Sequence, residues 1–128
     1  MFAKIELTRM AQAMAADAGA RMGVIARNVA NADVPGYKAL TLPDFAETYA
    51  AGDASAMRAT RPGHQGASNA QPAAIARVTP GNGSPNGNTV SLEEEMVNAA
   101  GARQQNDMAL AIYRATSDIL RASLGRAR

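Results

Sequence analysis

The sequence predicts a mainly α-helical chain. Two long terminal helices pair as a coiled coil, joined by a corner and a flexible Gly/Pro/Ala-rich middle segment with room for short β elements. Three observations carry this: apolar residues recur at three-four spacing near both ends, the first thirty or so residues contain no proline, and glycine and proline cluster between the two periodic segments. The chain divides into residues 1–50, an N-terminal helix plus corner; 51–89, a connector; and 90–128, a C-terminal coiled-coil helix, with one domain made by the two ends.

From Lys4 to Asn31 the apolar positions are Leu7, Met10, Met14, Ala18, Ile25 and Val29, with one polar interruption near Arg21. This is one amphipathic helix of about 40 Å at a rise of ~1.5 Å per residue. Ala15, Gly19 and Gly23 form a small-residue ridge. Close approach of another helix would justify glycines that cost up to about 1 kcal/mol each; a loose surface is the alternative. The helix should stop near Asn31, a residue accepted in the left-handed cap conformation. Val34-Pro35-Gly36-Tyr37 then supplies proline and glycine in the order a type II turn requires.

Beyond the corner, Leu40, Leu42, Phe45 and Tyr49 fit either an extended or a helical piece. From Gly52 to Asn88 the composition shifts to Gly, Pro, Ala, Ser and Asn, with Pro62-Gly63, Pro80-Gly81 and Asn86-Gly87 as turn dipeptides. Ile75 and Val78 are its sizeable aliphatic anchors, and a two-stranded element around Ala74 to Val78 is allowed.

At Ser91 the pattern changes abruptly. Ser91 followed by Glu94 is a capping box, and Glu93, Glu94 and Glu95 place negative charge where the helix dipole favours it. Downstream, Met96, Ala99, Arg103, Asn106, Leu110, Tyr113, Ser117, Leu120 and Leu124 trace a heptad-like seam. Met108, Ile112, Ala115 and Ile119 lie on a second apolar face, so one partner helix cannot cover everything.

The 128 residues are 47% apolar, but alanine supplies much of this, tryptophan is absent and aromatics reach only 4%. Alanine gains little on burial while each ordered backbone residue costs roughly 1 to 2 kcal/mol, so a lone chain should be marginal and need partners. With no cysteine, disulfides and thiolate chemistry are excluded. The net charge of +2 comes from arginines spread along the chain rather than from a basic block, which argues against nucleic acid. The start lacks the pattern of a secretory signal, and no stretch approaches the roughly 20 apolar residues of a membrane span.

Catalytic chemistry is missing. His64 is the single histidine and sits in the connector, where a solvated loop residue is the plain reading. Glu93 to Glu95 has no second carboxylate cluster at metal-ligand spacing. Gly81-Asn82-Gly83 and Asn86-Gly87-Asn88 follow no strand and contain no phosphate-loop lysine, so they read as turns. The expectation is a protein with no metal, no cofactor and no enzymatic activity.

Asn28-Val29-Ala30-Asn31-Ala32-Asp33-Val34-Pro35-Gly36-Tyr37-Lys38 resembles the signature that ends the N-terminal helix of flagellar rod and hook axial proteins, usually Asn-Ile-Ala-Asn-x-x-Thr-Pro-Gly-Tyr. Val29 is a mild departure, and Val34 lacks the hydroxyl of the usual threonine. Gly87 to Val97, before the last helix, looks like the same family at its other end. The resemblance implies a structural subunit of the proximal rod of the bacterial flagellar basal body. Such a subunit polymerises helically to form drive shaft and export channel in the periplasm, and is exported unfolded through the flagellar type III apparatus without a cleaved signal. Its implied partners are copies of itself, other axial proteins such as FlgC, the adaptor FliE and the export apparatus. The corner residues would be Asn28, Asn31, Pro35, Gly36 and Tyr37. Asn28 and Asn31 would hydrogen-bond within or between subunits, unless they are a surface amide and a helix cap. Assembly would run through Leu7, Met10, Met14, Ile25, Val29, Met96, Leu110, Tyr113, Leu120 and Leu124. Two other readings stay open: a small basic helical nucleic-acid binder, suggested by Arg121, Arg126 and Arg128, and a helical adaptor of another type III system.

Overall fold

Helix α1 (Phe2–Ala30), strand β1 (Leu40–Thr41), helix α2 (Phe45–Ser55), strand β2 (Arg77–Val78) and helix α3 (Leu92–Ser123) follow one another along the chain. The structure is a computed structural model that describes residues 2–55, 75–79 and 84–125. His64, Pro62-Gly63, Pro80-Gly81, Arg126 and Arg128 lie outside the described residues.

Helices α1 and α3 run antiparallel. Asn28 near the end of α1 meets Glu95 near the start of α3, Asp17 faces Gln105, and Ala11 shares a crevice with Ala109 and Tyr113. With 29 and 32 residues, they are about 43 and 48 Å long at ~1.5 Å per residue. On α3 the buried positions are Glu95, Ala102, Ala109 and Thr116, a strict interval of seven; on α1 they include Ala11, Ala18 and Asn28. The helices pair as the sequence predicts, with a heptad repeat keeping one stripe at the contact.

The stripe is only in part the expected one. Of the seam anticipated through Met96, Ala99, Arg103, Asn106, Leu110, Tyr113, Ser117, Leu120 and Leu124, the members Ala99, Asn106, Ser117 and Leu120 are half-buried beside the contact, whereas Met96, Arg103 and Leu110 stand one residue past the buried Glu95, Ala102 and Ala109. Met96 is 71% and Leu124 78% exposed, and Arg103, Leu110 and Tyr113 also face outwards. Turning α3 by one residue, about 100°, would bring Met96 inwards but carry Glu95 off Asn28. Alanines at the contact let the backbones close together, and the polar pair at the corner sets the rotation. Gly19 and Gly23 are exposed, and a Cβ added to either would meet nothing within 4 Å. Within the chain the ridge they form is not what α3 packs against; Ala11 and Ala18 take that part.

Asn31 also departs from expectation: among the described residues positive φ occurs only at Gly36, Gly87 and Gly125, so the end of α1 is not a left-handed asparagine cap. Instead Asn31 Nδ2 donates to Arg27 O at 2.7 Å, and successive turns carry the chain on to Val34.

β1 and β2 form an antiparallel pair, Leu40 opposite Val78 and Thr41 opposite Arg77, extended by Thr79 N donating to Ala39 O at 2.8 Å. The segment left undecided by the sequence is both things in turn: Leu40 is extended, Leu42 is buried coil, and Phe45 and Tyr49 pack ring to ring at 5.4 Å on α2. α2 continues through Gly52 to Ser55, residues read above as connector. Among the described residues, Leu42 is the one buried apolar side chain larger than alanine.

Candidate assembly corner

The turn from α1 into β1 is built as the Pro-Gly pair dictates. Tyr37 N donates to Val34 O at 3.3 Å across Pro35 and Gly36, and Gly36 has φ +74°, the sign that the third position of a type II turn requires. The next strand returns over the end of α1, where Asn28 receives it.

Asn28 is fully buried. Its Nδ2 donates to Leu40 O at 2.8 Å and to Glu95 Oε1 at 2.9 Å, while Oδ1 accepts from Leu40 N at 3.0 Å and from the Tyr37 hydroxyl at 3.4 Å. One amide thus holds both polar groups of a strand residue, the corner tyrosine and the first turns of α3. A primary amide is the side chain that offers two donors and an acceptor at one point. The surface-amide reading of Asn28 is overturned by this burial.

Asn88 is the second hub, 3% exposed. Its Nδ2 donates to the carbonyls of Asn31, Ala32 and Val34 at 3.0, 2.7 and 2.9 Å, in the turns that follow α1. Its Oδ1 accepts from Val90 N at 2.8 Å. Thr89 Oγ1 accepts from Ala39 N at 2.8 Å, Thr89 N donates to Tyr37 O, and Gly36 N donates to Asn86 O. The segment before α3 therefore clasps the corner at a second set of points, Gly36, Tyr37 and Ala39. The turn reading of Asn86-Gly87-Asn88 is right for Gly87, with φ +80°, and misses the role of Asn88.

Glu95 is 6% exposed, its Oε1 held by Asn28 and its Oε2 buried without a partner among the described residues. One level down the bundle, Asp17 Oδ2 takes Arg21 Nε at 2.7 Å and Gln105 Nε2 at 3.5 Å, and the Arg21 guanidinium donates to the carbonyls of Leu42 and Pro43. The polar interruption noted at Arg21 is the side chain that pins the exit of β1 to α1.

At the head of α3, Ser91 is the N-cap: its Oγ accepts from Glu94 N at 3.4 Å and donates to Glu93 Oε2 at 3.0 Å. A backbone hydrogen bond from its own amide and then the Ser91 hydroxyl hold the Glu93 carboxyl below the usual carboxylate range.

The remaining residues singled out from the sequence scatter outwards. Pro35, Gly36, Leu7, Val29, Met96, Leu110, Tyr113 and Leu124 are exposed; Met10, Met14, Ile25, Tyr37 and Leu120 are half-buried. Asp17 and Thr89 were not singled out, Glu95 was read only as charge at the helix start, and Asn88 only as a turn residue. Glu95 carried a readable signal, since it stands seven residues before Ala102 and fourteen before Ala109. Among the described residues no group of three or more His, Cys, Asp or Glu could hold a metal ion, and no helix is long and apolar enough to cross a membrane.

No curated protein matches the chain. Residues 9–38, which run along α1 through Asn28 and the Pro35-Gly36-Tyr37 turn to Lys38, match the model of a family described as flagella basal body rod protein, and over this segment the chain is similar to that family.

Proposed function

We propose that the chain is a structural, non-enzymatic subunit of the flagellar basal-body rod, polymerising through α1 and α3. The observation that carries this reading is the family match over residues 9–38, which ends on the corner that Asn28 and Asn88 hold. The outward stripes of α3, with Met96, Val97, Met108, Leu110, Tyr113 and Ile119 exposed, support it as surfaces for neighbouring subunits. The finer assignment is a proximal rod protein resembling FlgB, with the sibling FlgC as the alternative. Its neighbours would be further copies, FlgC, other rod proteins and FliE in the periplasm, reached through the flagellar export apparatus.

The test places a charge on α3 at the exposed Leu110 and at the half-buried Leu120. Leu110→Asp and Leu120→Asp, each in the full chain, are expected to abolish incorporation into rods and motility while expression persists, because an interface that buries an unpaired carboxylate loses several kcal/mol, of order 3 or more. Leu110 is 40% exposed in the single chain, so its fold tolerates the change. Normal swimming by both variants would overturn the reading.

A further inference from the structure

We infer that the acidic groove at the corner of one copy receives the arginine-bearing C-terminal end of α3 of a second copy. The inference rests on the polymerising role proposed above and names the contact that role uses.

The groove, about 800 Å³, is walled by the head of α3 and the clasp before it, and its lining includes Asp33, Thr89, Ser91, Glu93, Glu94 and Glu95. Glu93 and Glu94 are exposed at its edge, whereas Glu95 is 6% exposed. Asn28 satisfies only Oε1 of Glu95; Oε2 has neither solvent nor a partner among the described residues. A buried carboxylate oxygen left unpaired costs on the order of 1–3 kcal/mol or more. Oε2 itself is out of reach of a second chain, so a guanidinium seated in the groove acts on Glu95 through its charge and makes its direct contacts with the exposed Glu93 and Glu94 carboxylates.

The far end of the same chain carries that donor. Along the last turns of α3, Tyr113, Leu120 and Leu124 lie on one stripe with Arg114 and Arg121 beside it, at separations of seven and eleven residues that return to one side of a helix. Arg114, Arg121 and Leu124 are exposed. Arg121 touches Asp118 only at 3.9 Å, with the two side chains 81% and 75% exposed, so this pair leaves the guanidinium available. The corner end presents carboxylates and the far end guanidinium groups flanked by apolar side chains.

One chain cannot close this contact on itself. Glu94 and Arg121 are 27 residues apart on a single helix, about 40 Å at ~1.5 Å per residue. Two complementary surfaces at opposite ends of an elongated subunit meet head to tail, and such a contact repeats without closing.

The absence of native cysteine makes the contact testable by directed cross-linking. Asn98, which also lines the groove, and Ser123, in the last turn of α3, are both exposed. Under mild oxidation, a mixture of Asn98→Cys and Ser123→Cys chains is expected to give the mixed dimer in excess of either homodimer. Adding Arg121→Glu to the Ser123→Cys chain should lower the mixed yield about tenfold or more, and Glu93→Arg with Glu94→Arg on the Asn98→Cys chain should restore it. Far-ultraviolet circular dichroism of each variant checks that the exposed substitutions leave the helices formed. Homodimers in equal yield, a mixed yield indifferent to Arg121→Glu, or no cross-link at any concentration would each overturn the inference. In those cases a rod-incorporation defect of Leu110→Asp would leave the proposed function standing. A charge-sensitive mixed dimer alongside normal swimming of both aspartate variants would retain the contact and remove the rod reading.

Discussion

Asn28 shows how much one side chain can hold when its chemistry is matched at every atom. Its amide meets Leu40 on both backbone groups, the Tyr37 hydroxyl and the Glu95 carboxylate, all without contact with water. Asn28→Ala deletes these bonds and leaves Leu40 and Glu95 with buried, unpaired groups, each worth about 1–3 kcal/mol. Asn28→Asp keeps the shape but has no amide donor, and sets a second carboxylate against Glu95, so it should be the more damaging change at neutral pH, by about 3 kcal/mol or more. Urea unfolding followed by circular dichroism should rank the chains wild type, Asn28→Ala, Asn28→Asp in falling stability. Equal midpoints for all three would mean that the corner contributes nothing to the fold. A fully buried amide 67 residues from its carboxylate partner cannot be inferred from local sequence, because the same Asn reads equally well as a surface residue.

Helix α3 shows which properties of an element are local and which are not. Its start is local: Ser91 caps it, and the run Glu93 to Glu95 follows. Because the Glu93 carboxyl is held below its ordinary value, its contribution to helix stability is fully present above that ordinary value and is lost as pH falls through the lowered one. Ser91→Ala should cost about 1 kcal/mol and also weaken this acid dependence, since the hydroxyl is one of its causes. Helicity measured from neutral to acidic pH in both chains checks this; an identical acid profile would show that the backbone bond alone sets it. The turn at Pro35-Gly36 was legible for the same reason, that it depends on a few neighbouring residues, whereas the β element near Val78 was legible only as an allowed strand, its pairing with Leu40 and Thr41 being 36 to 38 residues distant. Rotation of α3 was not, because apolar periodicity locates large side chains and here these face outwards. The intrachain contact is made by Ala102 and Ala109, whose small size is a weak periodic signal, and its phase is fixed by Glu95 on Asn28.

The molecule as a whole is a hairpin of two helices with alanine at the contact and larger side chains outside. Each alanine at the seam contributes little, of order 1 kcal/mol or less, by removal of apolar surface from water, whereas burying a leucine- or methionine-sized side chain is worth about 1.5–3 kcal/mol. Met96, Val97, Met108, Leu110, Ile119 and Leu124 are all exposed. Covering a few of these on association adds several kcal/mol, comparable with the 5–15 kcal/mol that separates a typical folded domain from its unfolded chain. Hydrogen bonds at the corner set geometry but close only one end of the hairpin, so the other end relies on helix propensity and a thin contact. A purified chain should therefore show reduced helicity at low concentration and gain it as concentration rises or when candidate rod partners are added, by mass action on the folded form. Circular dichroism across a dilution series, with and without partners, measures this. A gain on association means that folding is completed by assembly. Full helicity that ignores both dilution and partners would mean that alanine packing and the Asn28 and Asn88 clasps suffice alone, and that the exposed stripes of α3 serve contact but not folding.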